Sequence, residues 1–123
     1  MDVSIVIPSW NTKELTCECI SSICRQTAAV SYEIIVVDNG SADGSAEAIK
    51  SRFPDVRIIA NKTNKGFAAA CNQGILAGRG RCVLLLNSDI LILDSAVDKT
   101  VRVLAFRVAA SLAFVRRLTK DKK

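Results

Sequence analysis

Four short apolar runs constrain this chain more than any other feature: Val3–Pro8 (VSIVIP), Glu33–Val37 (EIIVV), Val56–Ala60 (VRIIA) and Cys82–Leu86 (CVLLL). They are rich in β-branched residues and do not alternate with polar ones, so they read as strands buried on both faces, the habit of a parallel sheet. Between them, Thr12–Gln26, Ser45–Arg52 and Phe67–Ala77 suit helices. Strand–helix alternation requires right-handed crossovers, which predicts an α/β fold: a mostly parallel, Rossmann-like sheet with flanking helices in three α/β/α layers. In such a sheet ligands bind beyond the carboxyl ends of the strands.

Polar residues cluster where those ends are expected. Pro8-Ser9-Trp10-Asn11 follows the first run, Asp38-Asn39-Gly40-Ser41 the second, Asn61 to Gly66 the third and Asn87-Ser88-Asp89 the fourth. Gly66 opens a helix whose Ala68, Ala69 and Ala70 would let it lie close to the sheet, and Asn61 and Lys65 stand before its N-terminus, where free amides favour an anion. Asn72 is expected to tie loops together. Bland alternatives exist for each position: packing for Trp10, a helix cap or turn for Asp38, solvent for Lys65 and a structural role for Asp89.

Several chemistries are excluded. A dinucleotide site needs GxGxxG in the first turn, yet PSWNTK has no glycine, and no GxxxxGK[ST] loop occurs. The chain has no histidine, which removes Ser-His-Asp and Cys-His catalysis and makes a structural zinc site improbable for the five cysteines. Those cysteines read as reduced, mostly buried thiols. No apolar run of about 18 residues is present, and MDVSIVIPSW reads as a strand rather than a leader, so a cytoplasmic protein is expected. The net charge of +5 is uneven: residues 1–98 hold 9 basic and 11 acidic residues, residues 99–123 hold 8 basic and one acid, Asp121. A main body without a positive excess argues against a nucleic-acid partner.

IVIPSWN, VVDNGSADGS, NKGFAAACNQGI and VLLLNSD, in this order and spacing, resemble the N-terminal, nucleotide-sugar-binding half of a family 2 glycosyltransferase of GT-A fold, over about residues 3–94. The resemblance implies transfer of a sugar from a nucleoside diphosphate sugar, a UDP- or dTDP-sugar, with Mg2+ or Mn2+ bridging the diphosphate. It assigns Pro8, Ser9, Trp10 and Asp38 to the nucleobase and ribose, and Asn61, Lys65, Gly66 and Ser88 to the nucleotide or its phosphates. Asn87-Ser88-Asp89 stands where the family has DxD, which makes Asp89 the metal ligand and Asn87 a departure. The chemistry agrees, since a carboxylate accepts from a uracil or thymine N3–H and an indole covers a flat ring.

The family's reaction is an inverting single displacement assisted by an enzyme carboxylate. Its members continue beyond this point with an acceptor-binding half and that base, so the sheet is expected to be incomplete relative to the family. The later acids, Asp94, Asp98 and Asp121, lie in no such motif, and Asp94 and Asp98 suit a helix start. The catalytic base and the acceptor are left unassigned, and a non-catalytic nucleotide-binding or interaction module is the alternative. LNSD resembles a motif of cell-surface polysaccharide transferases. The organisation reads as a donor-binding half domain, 1–94, and a basic tail, 95–123, whose Ser95–Thr119 forms one long helix. That tail packs on the protein, pairs with a second copy in a homo-oligomer, or lies on an anionic membrane at the inner face through Arg107, Arg116, Arg117, Lys120, Lys122 and Lys123.

Overall fold

The computed structural model describes residues 1–107, so the expected continuation of the tail helix to Thr119, with most of the tail's basic residues, lies outside the described residues. The elements run β1 (Val3–Ser9), α1 (Lys13–Gln26), β2 (Tyr32–Asp38), α2 (Ser45–Arg52), β3 (Arg57–Ala60), α3 (Phe67–Ala77), β4 (Cys82–Leu85) and α4 (Ala96–Arg107). All three strand pairings are parallel, in the order β3-β2-β1-β4. The chain therefore winds outward from β1 to β3 and returns to the other side of β1 for β4. That reversal leaves a crevice beside the carboxyl end of β1, where a ligand site is expected.

Alternation along β1 sorts its side chains into two cores. Val3, Ile5 and Ile7 join Ile34 and Val36 of β2 against Cys17, Ile20 and Ile23 of α1, Ile49 of α2, and Val97 and Val101 of α4. Val6 and the β2 residues Ile35 and Val37 face Ala70 of α3. The predicted three layers follow, with α3 alone on one face. Ile5, Ile7, Ile20, Ile23, Ile35 and Ile49 are fully buried, each such side chain contributing about 1.5–3 kcal/mol. Burial on both faces holds for the central strands, whereas β3 and β4 are short edges and only partly covered.

Close packing of α3 has a narrower basis than its alanines suggest. Ala68 is exposed and Ala69 half-exposed, whereas Ala70 and Gly74 are buried against the sheet and Ala77 packs on the same cluster. A methyl group on Gly74 would come within 2.2 Å of Val6 Cγ1, so only glycine permits this approach. On the other face, the Asp98 carboxylate accepts from the backbone amides of Ala28, Ala29 and Val30, tying α4 to the turn between α1 and β2. Among the described residues no helix is long and apolar enough to cross a membrane.

Candidate functional site

The strand tips are joined by their own loops. Ser9 and Asp38 are register partners, and Asn39 N donates to Ser9 O at 2.8 Å. Asn11, held at φ 51°, accepts from Ala42 N at 2.8 Å through its side chain, while its own N donates to Ser41 Oγ at 2.9 Å. Ser41 Oγ in turn donates to Asp38 Oδ1. The first turn and the loop after β2 are thus one unit.

Asp43 secures both helices that leave this unit. Its Oδ2 accepts from Lys13 N at the start of α1 (3.1 Å), and its Oδ1 from Ser45 N (3.0 Å) and the Ser45 hydroxyl at the start of α2. The Ser45 hydroxyl foremost, then these backbone donors, hold the Asp43 carboxyl below its usual range. The cap role considered for Asp38 is filled by Asp43. Asp38 itself is 5% exposed; Ser41 occupies one oxygen, and the other is neither bonded within the described residues nor sealed from solvent.

Asn39 governs the loop after β3. Its Oδ1 accepts from Lys65 N (2.9 Å) and Asn61 Nδ2 (3.3 Å), and its Nδ2 donates to Asn64 Oδ1 (3.0 Å) and Gly66 O (3.1 Å). A carboxamide offers two acceptor and two donor sites, so Asn39 is fully used. Asn61 and Gln73 exchange a pair of amide bonds at 2.7 and 2.9 Å. Gln73, not the exposed Asn72, ties the loop. Gly66 N is taken by Asn64 Oδ1 and Lys65 N by Asn39. Any anion at this helix therefore meets the amides from Phe67 onward or the exposed Lys65 ammonium.

The remaining predicted residues divide by exposure. Trp10 is 53% exposed, and Pro8 is half-buried. Ser9 is 2% exposed and its hydroxyl is engaged with Thr12 Oγ1 (3.2 Å) and Thr16 Oγ1 (3.0 Å). After β4, Ile90 N donates to Asn87 O at 3.2 Å to close a turn, Ser88 Oγ meets Thr12 Oγ1 at 3.1 Å, and Asp89 is exposed with no partner among the described residues. Burial first, then the Asp89 charge, pushes the nearby Cys19 thiol up to about 11, so it is an inert thiol. The structure brings the first three loops into one hydrogen-bonded group and attaches the fourth through Thr12. Asp43, Gln73 and Thr12 were given no site role from the sequence, and Asn39 was placed at the strand tip without one. Only Asn39, beside Asp38 and before Gly40, carried a local signal.

A cleft of about 380 Å³ lies elsewhere, lined by Cys24, Tyr32, Phe53, Pro54 and Val56 among others. It opens at the amino end of β2, the opposite edge from the strand tips.

Comparison with known proteins decides the affiliation. The family model described as glycosyl transferase family 2 matches residues 4–122. The chain belongs to that family. The match runs beyond residue 94, where the motifs read from the sequence end. Among curated relatives, it is 33% identical over 83% of its length to the uncharacterized glycosyltransferase YfnE of Bacillus subtilis, covering 26% of that protein. It is 36% identical over 72% of its length to a poly(ribitol-phosphate) beta-glucosyltransferase of Bacillus spizizenii, covering 15%. The fold resembles S. aureus TarS 1-349 in complex with UDP-GlcNAc (TM-score 0.76, 22% identity, 85% of this chain and 31% of that one). It also resembles the mannosyltransferase PcManGT of Pyrobaculum calidifontis in complex with GDP-Man and Mn2+ (TM-score 0.75, 24% identity, 84% and 32%). The chain thus spans about a third or less of these proteins.

Proposed function

We propose that this chain binds a UDP- or dTDP-sugar with a divalent cation at the carboxyl ends of β1, β2 and β4, for transfer of the sugar to a hydroxyl acceptor in cell-surface polysaccharide synthesis. One observation carries the reading: Asp38, whose Oδ1 accepts from Ser41 and whose other oxygen has no bond among the described residues, lies one strand from the exposed indole of Trp10 in a family 2 glycosyltransferase domain. The carboxylate accepts from the base N3–H, and the indole covers the ring. Lys65 supplies positive charge toward the diphosphate. The TarS complex with UDP-GlcNAc supports a uridine donor, and the poly(ribitol-phosphate) relative supports a hydroxyl-bearing polymer as acceptor.

Asp89 fits a cation, because its carboxylate is exposed and has no partner among the described residues. No group of three or more acidic, histidine or cysteine side chains stands ready for a metal among those residues. Mg2+ or Mn2+ suits such a site, since it keeps several waters and takes its other ligands from substrate phosphates. When bound, the ion offsets the charge gathering on the departing diphosphate. The residues of the chain bind and orient the donor. The PcManGT complex with Mn2+ supports the same choice of ion.

A donor-binding module without transfer activity is the second reading, and the commitment of Asp98 narrows the acids that could serve as a base. Asp98, an acid after Asp89, is 5% exposed and committed to three amides, so it cannot deprotonate an acceptor. A surface role for the basic tail, on a second copy or on an anionic membrane, is a further proposal.

Calorimetric titration of UDP and dTDP, with and without manganese, on the wild type, Asp38→Ala and Asp89→Ala tests the donor site. The expected outcome is binding that manganese strengthens, with the manganese effect lost in Asp89→Ala and overall affinity lost in Asp38→Ala. Absence of binding at millimolar nucleotide would overturn it. Sugar transfer to a hydroxyl acceptor then separates the two readings.

A further inference from the structure

The four hydroxyls that join the first turn to the post-β4 turn form a closed set. Ser9 Oγ meets Thr12 Oγ1 at 3.2 Å and Thr16 Oγ1 at 3.0 Å, Thr12 Oγ1 meets Thr16 Oγ1 at 3.1 Å, and Ser88 Oγ meets Thr12 Oγ1 at 3.1 Å. A hydroxyl carries one proton and two acceptor lone pairs. Three bonds within the ring Ser9–Thr12–Thr16 consume all three ring protons, whichever way the ring runs. The fourth bond therefore takes its proton from Ser88. Thr12 then donates once and accepts twice, which exhausts it, and Ser88 is left with lone pairs only.

We propose that Thr12 is a positioning residue of the donor site, holding Ser88 as a proton-committed oxygen that faces the divalent cation beside Asp89 and does not donate to the diphosphate. The proposal rests on the donor-binding reading above and adds to it a residue outside the strand-tip motifs and a specific polarity for Ser88. A hydroxyl free to rotate would give its proton to a phosphate oxygen, the strongest acceptor present. Here that option is closed by Thr12, and a hard oxygen with both lone pairs available suits Mg2+ or Mn2+. Ser9 and Thr16, at 2% and 0% exposure, make the ring rigid and unable to open toward solvent.

UDP titrations with and without Mn2+ on Ser88→Ala, Thr12→Val, Thr12→Ser and the double variant Thr12→Val/Ser88→Ala test this, with the fluorescence of Trp10, the only tryptophan, as a second readout. Ser88→Ala and Thr12→Val should each weaken binding in the presence of Mn2+ by about tenfold, as loss of an outer support does at metal sites. Metal-free UDP affinity should not change. The double variant should lose no more than either single one, and Thr12→Ser, which keeps the hydroxyl, should restore the wild-type value. Ser88→Ala removes one half-exposed hydroxyl and leaves the ring intact, so it tests the link even if Thr12→Val does not fold.

Equal losses with and without Mn2+ would show Ser88 donating to phosphate and would overturn the proposal, as would additive losses in the double variant. A wild type that binds neither UDP nor dTDP with Mn2+ overturns the donor reading itself. A wild type that binds, and loses its manganese effect in Asp89→Ala but not in Ser88→Ala or Thr12→Val, overturns the role of Thr12 alone.

Discussion

The two sides of the site are built differently. On the β2–β3 side, Asn39 makes four hydrogen bonds, Asn11 and Ser41 cross-link two loops, and Asp43 caps two helices. On the β4 side, the Asn87–Asp89 turn is tied by one hydroxyl contact, a long Cys19 Sγ–Asn87 O contact of 4.0 Å and its own turn bond, and Asp89 has no partner among the described residues. On the proposed reading, the side assigned to the nucleoside is preorganised by the chain, whereas the side proposed for the metal keeps its carboxylate available for an ion and phosphate to organise. Preorganised polar groups lose less entropy when they bind, so selectivity for the base belongs on the first side.

The comparison breaks most visibly at Asn39. Asn39→Ala removes four bonds at a residue that is 5% exposed; Lys65 N loses its partner, while Asn61 keeps Gln73, Asn64 keeps Gly66 N and Gly66 O keeps Ala70 N. A loss of about 1–3 kcal/mol is expected, because four hydrogen bonds that hold the loop to the buried end of β2 are lost together. Urea unfolding measures it. If Asn39→Ala costs no more than a surface substitution, the rigid side is not rigid.

Gly40→Ala comes next. Gly40 has φ +81°, and an added Cβ would sit 2.8 Å from the Thr63 carbonyl carbon. Strain at a left-handed position together with this contact should cost about 1–3 kcal/mol, read in the same unfolding experiment. The loops would also part, so weaker UDP binding should accompany the loss.

Asp43 supplies a test by pH. Its folded-state carboxyl titrates below the ordinary value of 3.8, chiefly through the Ser45 hydroxyl. A depressed carboxyl adds stability that is fully present above 3.8 and disappears as pH falls through the lower folded value. Wild type should therefore be more stable than Asp43→Asn at neutral pH, and the gap should close progressively below pH 3.8. Thermal melts across that range decide it; a gap that does not vary with pH would mean that the charge of Asp43 is irrelevant to its capping.

The same contrast explains what could be read from the chain. Elements set by local pattern were legible: α2 and α3 begin and end at the predicted Ser45, Arg52, Phe67 and Ala77, and each expected strand formed within a residue or so. The sheet's apolar runs and the glycines that punctuate them act over short distances. What escaped depends on neighbours remote in sequence. Thr12 matters because Ser88 comes to it, Asp43 because Lys13 does, and Gln73 because Asn61 does. An isolated Asn or Thr in a loop carries no mark of which distant backbone it will meet. For α3 the alanine run looked like the packing face, yet helix periodicity turned Ala68 outward and put Gly74 against Val6.

The smallest effect on stability, and the sharpest contrast, is expected at Asn87. Its side chain is exposed, and only its backbone carbonyl serves the turn. Asn87→Asp should therefore change unfolding free energy by no more than about 0.5 kcal/mol, the usual range for surface positions. Its effect on ions should be larger. A second carboxylate near Asp89 gives the turn two hard anionic ligands, so manganese should bind measurably before nucleotide arrives, where on the proposed reading the wild type depends on the diphosphate to complete the site. Titration of Mn2+ into the nucleotide-free variant, followed by electron paramagnetic resonance, reads this directly. Tighter ion binding at unchanged stability would mean that the β4 side is loosely held because its organisation is left to the ligand. Unchanged ion binding would mean that residue 87 does not face the metal, and that the turn's role rests on Ser88 and Asp89 alone.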